Sequence, residues 1–227
     1  MRFAIAFASV TLIVAGCSDP KAASKKNFET AINDWISENP PCVTLPRGSV
    51  RPAEQTADAS LFPIYVEQAS SDHPLRLENQ QRAAKPFEAL ASAGLLKADT
   101  VEIDVDGGYF GGGPRKQVVV AYSLTPEGET AFAETGSAFL GKRPSLCYGE
   151  PRVTEIVRYT EPGEMMGVTV SQVEYRYQLR NLPQWTKAQP LREAFPQLAR
   201  DSAETLESKA AVVLTNEGWV HEKAAKL

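Results

Sequence analysis

The chain has 227 residues, with 24 basic and 28 acidic side chains, and 43% of it is hydrophobic. That composition is globular rather than disordered, and the length allows one or two small domains. The acidic balance argues against a nucleic-acid partner and against a polybasic membrane patch. Beyond the first residues, no stretch approaches the ~20 apolar residues of a spanning helix.

Residues 1–16 read Met-Arg, an apolar run from Phe3 to Val14, then Ala15 and Gly16 before Cys17. One positive charge, a short apolar core and small residues ahead of a cut site predict a secretory signal, and the run is too short for a comfortable transmembrane anchor. Val14-Ala15-Gly16-Cys17 resembles the lipobox of bacterial lipoproteins. The resemblance implies cleavage before Cys17, a diacylglyceryl thioether on its sulfur and acylation of the new N-terminus. Loss of the leader removes Arg2 and leaves 23 basic against 28 acidic residues, a net charge of −5. Ser18 after the lipid-bearing cysteine implies the periplasmic face of the outer membrane; Asp19, one place further on, keeps the inner membrane as the alternative. Residues 17–26 are polar, with Pro20, Lys21, Lys25 and Lys26, and read as a flexible tether between lipid and body.

With Cys17 lipidated, Cys42 and Cys147 remain, and an even pair in an exported chain predicts a disulfide. A redox or metal-binding pair is the alternative. There is no Cys-x-x-Cys, and His73 and His221 are the only histidines, a poor donor set for zinc.

In chain order, Phe28, Ile32, Trp35 and Ile36 share one helical face over 27–38, and Asn39-Pro40-Pro41 ends that helix. Cys42 to Leu45 is extended, 47–60 has no clear period, and Leu61 to Glu67 is a short edge strand because of Pro63. A helix over 80–97 carries Phe87, Leu90, Ala91 and Leu95. Thr100 to Asp106 alternates strictly and pairs, across the glycine-rich segment 107–114, with a strand from Val118 to Leu124. Val153 to Tyr159 and Val168 to Leu179 are strands. Residues 190–208 are helical or broken-helical with Phe195, Leu198 and Leu206 in the core, Ala210 to Leu214 is a strand, and His221 to Leu227 is a polar tail.

Two five-residue segments match, Leu124-Thr125-Pro126-Glu127-Gly128 and Leu214-Thr215-Asn216-Glu217-Gly218. Each follows a valine-rich strand, and a cysteine near prolines precedes each half. Read as tight turns at strand ends, they predict an α+β protein of two similar small halves of antiparallel strands plus helices, 27–140 and 141–227, about a pseudo-twofold axis; coincidence is the alternative. Helix, Gly94-Leu95-Leu96, hairpin and Leu-Thr-x-Glu-Gly over 87–128 also resemble the wing region of winged-helix domains. That fold commonly binds DNA, but the leader, the acidic balance and the lack of a basic recognition helix oppose this here.

The sequence offers no catalytic constellation and calls for no metal or cofactor. Glu102, Asp104 and Asp106 imitate the start of a calcium loop, but the closing ligand would fall on Gly113, and a solvated strand face explains the acids. The glycine-rich segment lacks the Lys-Ser/Thr of a phosphate-binding loop. His73 and His221 lie in polar segments and read as exposed, and no Gly-x-Ser-x-Gly elbow exists. Trp185 and Trp219, followed by Tyr175 and Tyr177, are the recognition candidates, with core packing as the alternative.

Leu146-Cys147-Tyr148-Gly149, Val173-x-Tyr175-x-Tyr177, Pro183-x-Trp185 and Leu214-Thr215-Asn216-x-Gly218-Trp219 resemble a group of proteobacterial lipoproteins, and the two-half layout is similar to the periplasmic carbapenem intrinsic-resistance family CarF. No functional residue is carried across. The expected function is a non-catalytic binding or accessory role for an outer-membrane-anchored periplasmic lipoprotein, held to the membrane by lipid and meeting an envelope protein or small molecule. The alternatives are a CarF-type envelope-stress or β-lactam tolerance factor and an envelope hydrolase.

Overall fold

A computed structural model describes residues 19–54, 60–106, 113–137 and 141–225. The lipobox with Cys17 and glycine-rich residues 107–112 lie outside these. The fold is α+β with antiparallel sheets.

Helix α1 (Lys25–Glu38) starts where Ser24 accepts a hydrogen bond from the Asn27 amide at 3.3 Å. It ends ahead of Pro40-Pro41, and β1 (Cys42–Thr44) follows. Then come β2 (Ile64–Glu67) and α2 (Pro74–Ser92), whose start is set by a proline in its first turn, six residues earlier than periodicity alone predicted. Gly94 breaks α2 at φ +77°, so Leu95 and Leu96 leave the helix, and Leu96 opens the strand β3 (Leu96–Val105). The expected hairpin forms with β4 (Arg115–Leu124), Leu96 opposite Leu124 and Val105 opposite Arg115. The helix and the hairpin thus form where the periodicity of the residues placed them.

Two elements that sequence reading missed come next, α3 (Pro126–Ala131) and the hairpin of β5 (Phe132–Ser137) with β6 (Gly141–Cys147). The remainder is β7 (Glu150–Tyr159), β8 (Gly163–Met165), β9 (Val168–Arg180), a 3-10 turn at Gln184–Lys187, α4 (Gln189–Ala194), α5 (Gln197–Asp201), β10 (Leu206–Leu214) and β11 (Trp219–His221). Leu206 therefore opens a strand and is not a helical core residue. The sheets run β2-β4-β3, β1-β6-β5 and β11-β10-β9-β7, with β8 alongside the start of β9.

Packing does not follow the chain halves. One core gathers Val43, Leu90, Phe87, Leu95 and Leu146 with Trp185, Leu191 and Leu198, so α4 and α5 from the C-terminal half close over the N-terminal sheets. The other gathers Phe28 and Ile32 of α1 with Val153, Val173, Val212 and Trp219, so the first helix covers the C-terminal sheet. The division at 140/141 falls between the paired strands β5 and β6, and elements of both halves are exchanged between the cores.

The chain passes between the cores four times, and the crossings are tied to one another. Cys42 and Cys147 are opposite in the β1–β6 register and form a disulfide. The Tyr148 amide donates to Pro41 O at 3.0 Å, the Tyr148 hydroxyl to Asp201 Oδ2 at 2.6 Å, and Asn181 Nδ2 to Glu150 Oε2 at 2.9 Å. Burial and the Asp201 carboxylate push the Tyr148 phenol well above its usual range, so it stays a donor.

The repeated motif does two different things. Thr125 caps α3, accepting from the Gly128 amide and donating to Gly94 O at 2.6 Å, with Pro126 in the first turn. Thr215 instead closes the β10–β11 hairpin: its amide and its hydroxyl both donate to Gly218 O at 2.8 Å. A proline after threonine commits the first copy to a helix start, while Asn216 leaves the second free to turn. The topologies around Leu124 and Leu214 are unlike, which removes the basis for the pseudo-twofold.

Two stability effects follow. The disulfide closes a loop with a sequence separation of 105, so replacing both Cys42 and Cys147 by Ser is expected to lower stability by roughly 4–5 kcal/mol in urea unfolding. Asn33 is buried in α1 and its Oδ1 accepts from the Val153 amide at 3.0 Å. Asn33→Ala orphans that amide and should remove about 1–3 kcal/mol in the same assay.

Candidate functional site

The sequence-singled residues are mostly structural. Trp219 is buried, its ring 5.0 Å from that of Phe28, and its Nε1 donates to Lys21 O at 3.0 Å. Trp185 is buried edge-on against Tyr148 and leaves only part of its outline on a shallow cleft with Pro40, Glu127 and Asn181. With both indoles in the cores and the Trp219 donor used inside the fold, the recognition reading passes from these residues. Tyr175 is core and Tyr177 packs against it. Glu102 pairs with Lys116 across the β3–β4 hairpin at 2.9 Å, so the calcium-like acids are a strand face. Among the described residues no group of three or more His, Cys, Asp or Glu is placed to hold a metal ion.

His73 stands just ahead of α2, makes no side-chain capping bond, and is exposed, as read. His221 is not in a polar tail: it ends β11, is 5% exposed, and stacks on Trp35 with ring centres 5.3 Å apart. Its Nδ1 accepts from the Lys223 amide at 3.1 Å, which requires that nitrogen to be unprotonated.

A cleft lies elsewhere, and its construction starts at Leu45. That residue is buried, and its amide donates to Pro144 O at 2.9 Å, fixing the exit of β1 against β6. The chain then runs back along β2: the Val50 amide donates to Tyr65 O at 3.2 Å, and Ser49 Oγ accepts from the Glu67 amide at 2.8 Å. Gly48 is required at the closest approach, because a Cβ there would lie 2.5 Å from Tyr65 O. The cleft between this segment, the start of β2 and β6 has a volume of about 490 Å³. Leu45, Leu61, Pro63, Ile64 and Pro144 give it an apolar floor, and Arg47, Arg51, Lys142 and Arg143 give it a cationic rim.

No acidic residue lines the cleft among the described residues. Lys142 pairs with Glu134 on the neighbouring strand, and among the described residues the other three cations have no carboxylate within ion-pair distance. The contrast with the C-terminal sheet is marked. There Arg158, Glu174, Lys209, Arg176, Glu155 and Glu207 form a self-neutralising ladder, and hydrogen bonds from Arg158 and Lys209 hold the Glu174 carboxyl down to about 2. Three arginines that pair with no carboxylate among the described residues, inside an acidic protein, suit an anion, which guanidinium groups grip in paired hydrogen bonds. Sequence reading missed the cleft because its cations come from two segments about 95 residues apart, and neither is conspicuous alone.

Comparison with family models, with curated proteins and with solved structures finds no match. The cleft therefore stands on its own chemistry.

Burial lowers the His221 pKa below its ordinary value of 6.5; Glu222 opposes the shift weakly and Lys223 adds to it. The unfolded chain binds a proton near pH 6.5 that the folded chain still refuses, so stability is fully present above that pH and falls as pH drops toward the folded value. His221→Phe, which keeps the stack on Trp35, is expected to flatten thermal stability measured between pH 7 and pH 5.

Proposed function

We propose that this chain is a periplasmic lipoprotein of the outer membrane whose folded body binds an anionic envelope component without chemically altering it. The cationic rim of Arg47, Arg51, Lys142 and Arg143 over an apolar floor carries the reading. Such a site favours a ligand with a phosphate or carboxylate and a neighbouring apolar or sugar face. The lipid reading of Cys17 rests on Val14-Ala15-Gly16-Cys17, and among the described residues no helix is long and apolar enough to cross a membrane. The non-catalytic reading rests on the cleft's own side chains: among the described residues its rim and floor offer no histidine, cysteine or acid.

Titration with glycerol phosphate and with an anionic muropeptide, followed by calorimetry or amide chemical shifts, tests the cleft. At least one is expected to saturate the site, weakening as salt rises, and Arg47→Glu or Arg143→Glu should reduce affinity by about tenfold or more. Binding of neither anion, or binding indifferent to both substitutions, would overturn the assignment. Turnover of the muropeptide would contradict the non-catalytic reading.

A further inference from the structure

The register of the C-terminal sheet brings several features to one of its ends. β9 begins there at Val168, entered from β8 through Met166 and Gly167. β10 ends there, because Val213 lies opposite Val170, and the turn from Thr215 to Gly218 projects beyond it. β7 ends there with Tyr159 opposite Val173. Residues 19–22 close the same end. Lys21 O takes the Trp219 Nε1–H, and Gly218, at φ +138°, leaves room for Pro20, whose carbonyl oxygen would lie 3.1 Å from a Cβ there. Asn27 Nδ2 donates to Asp19 O at 2.9 Å and to Ala22 O at 2.8 Å. These bonds correct the tether expectation: from Asp19 onward the segment belongs to the body.

The lipid site Cys17 is two residues from Asp19, and two residues of extended chain reach at most about 7 Å. Lipid on Cys17 would place this end of the sheet at the bilayer. Met165 and Met166 are 58% and 98% exposed there. Met166 and Gly218 stand at nearly the same level along the strands, and β8 is three strand spacings from β11, about 15 Å. The fold gives no reason for methionine at this turn. Met166 has φ +51°, where glycine or asparagine is the ordinary choice, and all three residues of β8 are exposed. The chain has three methionines, and the third is Met1 in the leader.

We propose that the Met165–Met166 turn is a second, non-covalent membrane contact that inserts into the bilayer interface beside the lipid on Cys17; the proposal rests on the lipid-anchor reading of that cysteine. Methionine suits the role, being apolar and adaptable in shape. The contact is apolar rather than electrostatic, since Asp19, Glu161, Glu164 and Glu217 offset Lys21, Lys25 and Lys26 around it. Two anchoring points would also fix the orientation of the body, which one flexible lipid attachment leaves free.

The test uses the whole mature chain with its disulfide formed, which leaves Cys17 as the sole free thiol, coupled there to a palmitoyl maleimide. One acyl chain gives only marginal membrane binding, so a second contact is measurable. On phosphatidylcholine vesicles, Met165→Ser/Met166→Ser is expected to lower partitioning by about tenfold. Peroxide oxidation of the two methionines, read by mass spectrometry, should slow by about fivefold or more on vesicles relative to the uncoupled chain in solution. Equal partitioning of the variant, or methionines oxidised as fast on vesicles as in solution, would overturn the proposal. The mass of the N-terminal peptide from native cells separates the two ideas: an unmodified Cys17 sinks the lipid-anchor reading, whatever the vesicles report about the turn.

Discussion

The structure depends on the waist where four crossings of the chain are tied together. Each core is completed by an element from the other chain half, α1 for one and α4 with α5 for the other. Neither core is complete unless the connecting segments hold their relative positions. The Cys42–Cys147 bond, the Tyr148 amide on Pro41, the Tyr148 hydroxyl on Asp201 and the Asn181–Glu150 contact supply that restraint within a few residues of one another. Only the disulfide is covalent, and it joins the first crossing to the second. In an oxidising compartment that restraint persists, whereas reduced thiols would leave the exchanged elements held by packing and hydrogen bonds alone.

What could be read from the residues was whatever expressed itself locally. The 3.6-residue period of Phe28, Ile32 and Ile36 gave α1, the alternation of Val101, Ile103 and Val105 gave the first long hairpin, and the β-branched and aromatic run of 168–179 gave β9. The disulfide was legible because an even pair of cysteines, in a chain read as exported, predicts a bond. The β5–β6 hairpin was not, since Ala133-Glu134-Thr135-Gly136-Ser137 carries no apolar alternation and Pro144 sits inside the partner strand. The Thr125 and Thr215 motifs show the limit of matching by identity. Four of five residues agree, yet the one that differs, Pro126 against Asn216, decides between a helix start and a hairpin turn.

The site was less legible than the fold for the same reason. Aromatic residues near the C-terminus drew attention as recognition groups, but Trp219 is occupied in joining the last strand to the first residues of the body. The basic cleft is assembled from Arg47 and Arg51 on one segment and Lys142 and Arg143 on another, brought together by β1 pairing with β6. Charge that is diluted in the sequence becomes concentrated only after that pairing. His221 was misread because a polar stretch follows it, whereas the pairing of β11 with β10 carries it inward.

The bond from the Trp219 indole to the Lys21 carbonyl spans 198 residues. On the proposed export, the polypeptide crosses the membrane from its amino end, so Lys21 would emerge among the first residues of the body and its partner nearly last. During that interval the segment beside Cys17 has no place to dock, and it stays pliable while processing and acylating enzymes would need access to the cysteine. Once β11 has paired, the same segment is clamped. Under the proposed lipid anchoring, the order of synthesis would separate a stage at which the amino end is open to modification from one at which it serves as a fixed foot.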